Sequence, residues 1–470
     1  MNCFANLTYT SEDVFYMDNR NQIIGQYLQP GNQVHLVGIG GISMRPLGLV
    51  LKELGLTVTG SDRSSTASTD ELIAKGIPVR FGHFAENIEG ACCVIRTAAV
   101  HDDNPEIMAA HAAGIPVFER AQAWGCIMRD YDHAVCVAGT HGKTSTTSMI
   151  AHILMAAETD PTIVVGAHLD LIDACHRIGS GDTIVMESCE FCDSFLNFSP
   201  SMAVILNVDA DHLDYFKTMD GVKRSFRAFA QLSSEFVLAN GDDANTVDTL
   251  KEMDYVSFGF GEHNRVRATN VSANWRSFDV VCDGKLYCHL DLNVFGRHNT
   301  ENALAAAGAA WLMGIPGDAV VKGLSTFRGA RRRMEYRGSI NGADFFDDFG
   351  HHPKELATTL DTIATMGYKR TILAFQPYTY TRTKELFDEF IEQLKRPDIL
   401  VVSDILGARE TDTLGLHSTQ IQAQVPGAYY CPGLKDVAEK LKELAQPGDL
   451  IYTSGCGNLD LAMDMLFGRK

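Results

Sequence analysis

The sequence has no apolar run near the ~20 residues that a membrane-spanning helix needs, and basic side chains are scarce in it. Its 470 residues carry 40 Lys and Arg against 59 Asp and Glu, a formal net charge of −19 at pH 7. A surface that acidic repels nucleic acid and anionic lipid unless basic residues are gathered in one place. We therefore expect no membrane span and no nucleic-acid partner.

A secretory signal is also missing from the start of the sequence, where the first twenty residues are polar and charged. The twelve cysteines are scattered along the chain and do not form a compact disulfide framework. Both features are typical of a protein with reduced thiols, and they predict a cytoplasmic location.

Strand-like and helical stretches alternate along most of the chain, which predicts an α/β fold with parallel, doubly wound sheets. A strand from Val34 leads into a glycine turn, then into a helical stretch from Met44 to Leu54, and a second strand ends at Asp62. The stretch 255–295 is richer in alternating and β-branched residues, which indicates antiparallel strands there.

Three regions of the chain each open with a β-rich apolar run, and the length allows two to four domains of the usual size. We place the boundaries at 1–119, 120–334 and 335–470. The third region repeats strand-then-helix units up to the C-terminus, as in other α/β domains.

The strongest chemical signal is the run from Gly139 to Ser145, called the phosphate loop below, which joins a predicted strand to a predicted helix. Such a loop aims backbone N–H groups and a helix N-terminus at an anion. Lys143 adds a charge suited to the β- and γ-phosphates, and the Thr144 hydroxyl can bind Mg²⁺. The strict pattern G-x-x-x-x-G-K-[ST] would need glycine at Val137, so this loop is a variant. The alternative is an ordinary turn, but Gly, Lys and Thr together favour a nucleoside triphosphate.

A second glycine turn runs from Gly38 to Gly41 and lacks the third glycine of G-x-G-x-x-G, because Ser43 stands there. Asp62 ends the next strand, where dinucleotide-binding folds place a ribose-binding acid. The arrangement suits a nucleotide diphosphate, and a tight packing turn explains it equally well.

Acidic residues follow two predicted strands of the central region and could complete a Mg²⁺ site beside the phosphate loop. The residues are Glu187, Glu190, Asp209, Asp211, His212 and Asp214. For most of them the simpler interpretation is a solvated loop charge or a helix cap. A basic cluster from Arg328 to Arg337, and two loops of the third region that carry His351, His352 and Arg382, are candidates for anion binding.

Six runs occur in series, namely GIGGISM, GTHGKTS, DADHLDYF, GRHNTEN, DDFGHHPKE and FQPYTYTRT. In this order they resemble the motifs of the Mur ligase family, from about residue 34 to the C-terminus. The resemblance implies an N-terminal Rossmann-like domain that holds a UDP-sugar and a central ATPase-type domain with the phosphate loop. It also implies a C-terminal Rossmann-like domain that receives the amino acid.

The resemblance implies a reaction as well. ATP, with Mg²⁺, would activate the carboxylate of UDP-N-acetylmuramate as an acyl phosphate, and the amine of L-alanine would then displace phosphate. The product would enter cytoplasmic peptidoglycan precursor synthesis. Alanine, serine and glycine differ by one or two atoms, so the preferred amino acid stays open, and we expect a monomer or a weak homodimer.

Site residues follow from the positions that match the family motifs. The predicted ATP site comprises Gly139, Thr140, His141, Gly142, Lys143, Thr144, Ser145, His298, Asn299, Asn302, Arg332 and Arg333. The predicted UDP-sugar site comprises Gly38, Ile39, Gly40, Gly41, Ser61, Asp62, Gly82, His83, Thr97 and Ala98. The predicted metal ligands are Thr144, Glu190 and His212. The predicted catalytic residues are Lys143, Glu190, His212, His352 (as the base for the amine) and Arg382.

The match has departures, and other functions remain possible. Many family members read Asp-Glu-Ser-Asp where this chain has Cys189-Glu190-Phe191-Cys192, and many have His where it has Tyr378. One alternative is the recycling ligase that joins a whole peptide to the same UDP-sugar. The others are an NAD-dependent oxidoreductase built on the first glycine turn, and a non-enzymatic ATP switch.

Overall fold

The computed structural model describes residues 23–41, 43–97, 99–408 and 410–468. Their strands form three sheets, each with helices alongside, so the prediction of an α/β fold is confirmed. Within these ranges none of the helices has the length and apolar composition of a membrane span.

The residues group into two compact units. The first holds the described residues up to Thr269 together with 279–289 and 302–324, and the second holds 270–278, 290–301 and the described residues from Ser325 onward. The first unit contains the N-terminal sheet and most of the central sheet, and the second contains the C-terminal sheet.

The N-terminal sheet has five parallel strands: β1 (Gln33–Val37), β2 (Thr57–Asp62), β3 (Val79–Phe81), β4 (Cys93–Arg96) and β5 (Val117–Glu119). Its helices are α1 (Met44–Glu53), α2 (Ala67–Ala74), α3 (Pro105–Ala112) and α4 (Arg120–Met128), with a 3₁₀ turn at Ala85–Ile88. The strand order is β3-β2-β1-β4-β5. It reverses between β1 and β4, so the turn after β1 and the loop after β4 line the crevice where such sheets bind ligands.

The central sheet has ten strands: β6 (His133–Ala138), β7 (Thr162–Leu169), β8 (Ala174–Arg177), β9 (Thr183–Glu187), β10 (Met202–Ile205), β11 (Phe236–Asn240), β12 (Val256–Gly259), β13 (Val266–Thr269), β14 (Ser277–Cys282) and β15 (Lys285–Asp291). Their order is β15-β14-β13-β12-β11-β10-β6-β9-β7-β8. The associated helices are α5 (Lys143–Ala156), α6 (Leu213–Phe216), α7 (Met219–Gln231), α8 (Ala244–Thr249), α9 (Arg297–Leu312) and α10 (Gly317–Thr326), with a 3₁₀ stretch at Phe191–Asn197. Because β9 and β10 flank β6, the residues that follow these three strands meet at one edge.

The antiparallel prediction for 255–295 is only partly right. Strands β13 and β14 are antiparallel, whereas β12 pairs with β13 in parallel. A short strand with alternating burial looks the same in either direction, and the pairing depends on the connection rather than on the strand itself.

The C-terminal sheet has six strands: β16 (Glu335–Ile340), β17 (Ala343–Asp348), β18 (Arg370–Phe375), β19 (Ile399–Val402), β20 (Tyr429–Tyr430) and β21 (Asp449–Ser454). Its helices are α11 (Pro353–Ala364), α12 (Tyr380–Glu385), α13 (Phe387–Leu394), α14 (Ser418–Gln424), α15 (Leu434–Leu444) and α16 (Asp460–Phe467). The order is β16-β17-β21-β18-β19-β20, with β16 antiparallel at one edge. Every residue of β21 is buried, as expected of a central parallel strand covered on both faces.

Candidate active site

The phosphate loop leaves the carboxyl end of β6 and turns into α5 at Gly142, which has φ +85°. A Cβ at Gly142 would lie 2.5 Å from Oδ1 of Asn302. The same Asn302 oxygen accepts a hydrogen bond from the Thr146 hydroxyl at 3.2 Å, so Asn302 is packed against the first turn of α5. Both the backbone angle and the close contact therefore require glycine at position 142.

Gly142→Ala should raise the KM for ATP by about tenfold or more, because the new Cβ displaces the loop from Asn302 and strains a left-handed backbone. Gly284→Ala is the matched control, since Gly284 has φ +76° but open space around its Cβ position. Both variants should lose a similar amount of stability from strain, measured as Tm. Equal KM values for ATP in the two variants would contradict the account.

Asn207, which follows β10, holds the other side of the phosphate loop. Its Oδ1 accepts the His141 N–H at 2.8 Å, and its Nδ2 donates to the His141 carbonyl at 3.1 Å. The Thr140 hydroxyl accepts the N–H of Asp209 at 2.9 Å. The loop is thus fixed from the neighbouring strand, which keeps its backbone N–H groups in place for an anion.

Lys143 is largely buried at the start of α5, with its ammonium group inside the loop. Nζ donates to the carbonyls of Gly139 at 2.5 Å and Thr140 at 3.2 Å, and lies 2.9 Å from Oε2 of Glu190. Burial disfavours the charged form, but the Glu190 carboxylate outweighs it and raises the pKa of Lys143 above its usual value. The lysine therefore carries a full positive charge at neutral pH.

Thr144 contacts a different carboxylate, that of Glu187 at the end of β9. The Thr144 hydroxyl lies 3.1 Å from Oε1 and 3.0 Å from Oε2 of Glu187, and it donates to this carboxylate. Glu187 Oε2 also accepts the N–H of Gly166 at 2.8 Å, and a Cβ at Gly166 would lie 2.6 Å from that oxygen. Glu187 is thus held against the hydroxyl that was predicted to bind Mg²⁺.

The oxygen donors around Thr144 fit Mg²⁺ in their chemistry. Among the described residues no group of three Asp, Glu, His or Cys side chains is arranged to hold a metal ion. Mg²⁺ in nucleotide sites commonly uses one or two protein oxygens, with phosphates and water completing the shell. The pair of Thr144 and Glu187 meets that requirement, whereas Glu190 is engaged with Lys143.

His212 is the N-cap residue directly before α6 and has a left-handed conformation, φ +52°. Its ring lies 4.8 Å from the ring of Phe191, centre to centre, and its Nε2 lies 3.8 Å from Asp211. Phe191 belongs to the run that departs from the family pattern. The departure therefore places an aromatic ring against the histidine predicted to bind the metal.

The first glycine turn is tied to the end of β2. Ser61 O accepts the N–H groups of Gly38 at 2.8 Å and Ile39 at 3.0 Å, and Asp62 Oδ2 accepts the N–H of Gly40 at 2.8 Å. Asp62 therefore fixes the turn in this structure rather than pointing away from it. Ala98, also predicted for the UDP-sugar, lies outside the described residues.

In the second unit, His298 and Asn299 lie in the first turn of α9. Asn299 Nδ2 donates to the carbonyl of Phe295 at 2.8 Å. His298 Nδ1 is buried and has no hydrogen-bond partner among the described residues. Burial, together with the positive charge of Arg333, lowers the pKa of His298 to about 4, so the ring is neutral at pH 7.

The depressed pKa of His298 predicts a loss of stability in acid. An unfolded histidine titrates near pH 6.5 and the folded one near 4, so the unfolded state binds the extra proton first as the pH falls. The stabilising contribution is present above pH 6.5 and is lost as the pH falls toward 4. His298→Asn should reduce the drop in unfolding free energy between pH 7.5 and 5 by about 1–2 kcal/mol, measured by urea titration at both pH values. Equal drops in both proteins would contradict this.

Arg332 and Arg333 precede β16, and both guanidinium groups stack on the ring of Phe349, at 5.0 and 5.2 Å from its centre. The Arg332 guanidinium also donates to the carbonyls of Gly455 and Gly457. Its Nε donates to the Asp347 carboxylate at 3.2 Å. Arg332 thus joins the loops that follow β17 and β21. Its predicted contact with ATP would need these bonds to be exchanged, so its role on the phosphates stays a prediction.

The loop after β17 carries His351 and His352. His352 caps α11, with Nδ1 accepting the Lys354 N–H at 3.3 Å, while His351 Nδ1 faces the carbonyl of Phe349 at 3.2 Å. Burial lowers the pKa of His351, and the charge of Arg382 lowers it further against the opposing effect of Glu355. His351 is therefore a neutral ring beside the predicted Arg382.

Three family models match the chain in succession. Residues 33–132 match the Mur ligase family catalytic domain, 137–310 the Mur ligase middle domain, and 332–457 the Mur ligase glutamate ligase domain. The chain belongs to the Mur ligase family.

Relatives of this Mur ligase include the UDP-N-acetylmuramate–L-alanine ligase of Caldanaerobacter subterraneus subsp. tengcongensis, 41% identical over 92% of this chain and 96% of that protein. The ligase of the same name from Acetivibrio thermocellus is 43% identical over 93% and 96%. Among solved structures, UDP-N-acetylmuramate–alanine ligase MurC from Thermotoga maritima superposes with a TM-score of 0.78 at 27% identity, covering 93% of this chain and 98% of that one.

Two residues around the phosphate loop are absent from the ligand and ATP sets predicted from the sequence. Glu187 is named there only among the acidic residues that could complete a Mg²⁺ site, and Asn207 is not singled out. Glu187 ends β9 and Asn207 lies two residues after β10, beside β6, and that position was the available signal. The ends of neighbouring parallel strands meet at one edge of a sheet, so polar residues at these strand ends lie beside the phosphate loop.

Proposed function

We propose that this Mur ligase joins L-alanine to the carboxylate of UDP-N-acetylmuramate, with ATP converted to ADP and phosphate. The observation that carries the proposal is the charged, buried Lys143 inside a fixed phosphate loop. Similarity over nearly the whole chain to ligases named for this reaction supports it. The recycling ligase is the weaker alternative, because two solved structures of that kind are similar at TM-scores of 0.68 and 0.59, against 0.78 for the alanine ligase.

In the first step, a carboxylate oxygen of the muramate group attacks the γ-phosphorus of ATP, the bond to the bridging oxygen breaks, and ADP leaves. The step gathers negative charge on the γ-phosphate oxygens. Lys143 and the backbone N–H groups at the start of α5 neutralise that charge, in a loop that Asn207 and Asn302 hold rigid. Because the donors are in place beforehand, little reorganisation is needed in the transition state.

Mg²⁺ is part of the proposal, and Thr144 and Glu187 are the residues that would hold it. When bound, the ion supplies charge neutralisation on the β- and γ-phosphate oxygens. Glu190 and His212 remain predicted ligands. Glu190 can serve only if it leaves Lys143, which a phosphate group would favour by taking over the ammonium charge.

In the second step, the amine of L-alanine attacks the acyl carbonyl, and the C–O bond to phosphate breaks. The ammonium form of alanine must lose a proton first. His352 Nδ1 is used at the cap of α11, so its neutral tautomer carries the proton on Nε2. His351 Nδ1 faces a carbonyl, which favours the tautomer with a free lone pair on Nε2. We therefore place the base at His351 rather than His352.

His351→Gln should lower kcat by about 10²-fold while the KM values for ATP and UDP-N-acetylmuramate stay within about twofold. His352→Gln, the neighbouring control, should mainly lower Tm through the lost cap. If His352→Gln lowers kcat and His351→Gln does not, the assignment of the base is reversed.

The function is tested by phosphate release from ATP, with each substrate left out in turn. Release should need both UDP-N-acetylmuramate and an amino acid, and L-alanine should give a higher kcat/KM than L-serine or glycine. A tripeptide acceptor that outperforms L-alanine would establish the recycling ligase instead. Release that needs neither substrate would identify an ATP switch.

A further inference from the structure

Glu106 is a fully buried carboxylate in the N-terminal sheet domain, at the second position of α3. Asn104 caps this helix and accepts the Glu106 N–H at 2.9 Å, and Pro105 occupies the first helical position. The cap and the proline fix the first turn of α3, and with it the position of the Glu106 backbone. A buried carboxylate is costly unless donors satisfy it, so its partners indicate what it is for.

Four side chains surround the carboxylate of Glu106. Oε2 accepts the Ser61 hydroxyl at 2.7 Å and lies 3.4 Å from Nδ1 of His83. Oε1 accepts Nδ2 of Asn87, and Nε2 of the buried His35 lies 3.8 Å away. Burial alone would raise the pKa of Glu106, but the nearby His35 and the hydrogen bonds from Asn87 and Ser61 lower it. The group is therefore an ionised acceptor, held by hydrogen bonds from Ser61 and Asn87 and flanked by two histidine rings.

The partners of Glu106 belong to three segments that carry predicted UDP-sugar residues. Ser61 accepts the N–H groups of Gly38 and Ile39 through its carbonyl, so it holds the first glycine turn. Asn87 also donates to the carbonyl of Gly82 at 3.0 Å, next to His83. One carboxylate thus connects the turn after β1, the end of β2 and the loop after β3.

We propose that Glu106 is a positioning residue for the UDP-sugar: it binds no substrate itself but sets the spacing of the three segments that do. The inference rests on the proposed function in one respect, namely that these segments hold UDP-N-acetylmuramate. A carboxylate suits the role because it accepts in every direction. A glutamine of the same shape turns one NH₂ group toward a donor and breaks one of the connections.

Glu106→Gln should raise the KM and Kd for UDP-N-acetylmuramate by about 10- to 100-fold, the effect of losing one or two buried hydrogen bonds. The KM for ATP and kcat should stay within about twofold. A merely structural role would lower Tm without this selective change in one KM.

Asn87→Ala is the second variant. Asn87 is half-buried and uncharged, so removing its side chain alters the connection to Glu106 without removing a buried charge. It should raise the KM for UDP-N-acetylmuramate about three- to tenfold. If Asn87 acts through its hydrogen bond to Glu106, the two substitutions should not add. The KM for UDP-N-acetylmuramate of the double variant should then lie within about twofold of that of Glu106→Gln alone. Asp449→Asn is the control: a buried carboxylate bonded to Arg370 in the C-terminal sheet, whose loss should lower Tm and leave this KM unchanged.

The inference is overturned if the KM for UDP-N-acetylmuramate is unchanged in Glu106→Gln and Asn87→Ala, or if the KM for ATP rises as much. It is also overturned if Asp449→Asn gives the same selective rise. The proposed function fails separately, when wild-type protein shows neither binding of UDP-N-acetylmuramate by calorimetry nor phosphate release that depends on it. A wild-type enzyme with full activity and unaffected variants removes only the role of Glu106.

Discussion

Lys143→Ala is expected to lower kcat/KM for ligation by at least about 10³-fold, because the γ-phosphate loses its only charged partner within the described phosphate loop. The ammonium group lies between the carbonyls of Gly139 and Thr140 and the Glu190 carboxylate. No neighbouring side chain of the loop can replace that charge, since the loop otherwise carries only hydroxyl, imidazole and backbone groups. Phosphate release with saturating UDP-N-acetylmuramate and L-alanine measures the effect.

The control for Lys143→Ala separates the loss of activity from the loss of stability, because the substitution leaves the Glu190 carboxylate without its ion-pair partner. Glu190 has only 2% of its side chain exposed, and a buried charge without its partner costs about 3–5 kcal/mol. Lys143→Ala/Glu190→Gln removes both charges and should recover most of the lost Tm. It should still be inactive, and recovery of activity in the double variant would show that the lysine acts only through stability.

Glu187→Ala is expected to lower kcat by about 10²- to 10³-fold at ordinary Mg²⁺ concentration, and to raise the Mg²⁺ concentration for half-maximal activity about tenfold or more. The reason is its contact with the Thr144 hydroxyl at 3.0 Å, at the end of β9. Part of the loss in kcat should return as Mg²⁺ is increased.

Glu190→Gln is the matched comparison for Glu187→Ala. If Glu190 serves chiefly to hold Lys143, this variant should show a changed KM for ATP with the Mg²⁺ requirement nearly unchanged. The opposite pattern, with Glu190→Gln needing more Mg²⁺ and Glu187→Ala unaffected, would return the metal site to the ligand set predicted from the sequence.

Much of the fold was predictable because strands such as β1 and β6 are mostly apolar runs that lead into glycine turns. The strand that ends at Asp62 has the predicted end, and the helix from Met44 ends at Glu53, one residue before the predicted Leu54. The pairing of β12 with β13 was not predictable, since it depends on which connection brings two short strands together. The reason is that sequence patterns report local burial and not strand neighbours.

The candidate site also has a part that the sequence predicts and a part that only the structure reveals. The phosphate loop was recognisable because its glycines, lysine and threonine are adjacent in sequence, and the geometry around Lys143 needs that order. Glu187 and Glu190 are three residues apart and chemically alike, so sequence alone could not tell which contacts Thr144. Glu106 carries no motif of its own, and only its burial among donors from distant segments reveals it.

Transfer of ¹⁸O from substrate to phosphate tests the central claim, that ATP at the phosphate loop activates the carboxylate of UDP-N-acetylmuramate. The substrate is labelled with ¹⁸O in its carboxylate and incubated with ATP, Mg²⁺, L-alanine and the protein, and the released phosphate is analysed by mass spectrometry. The account predicts one ¹⁸O atom in each phosphate, with ADP as the other product. Unlabelled phosphate, or label found in AMP, would contradict it.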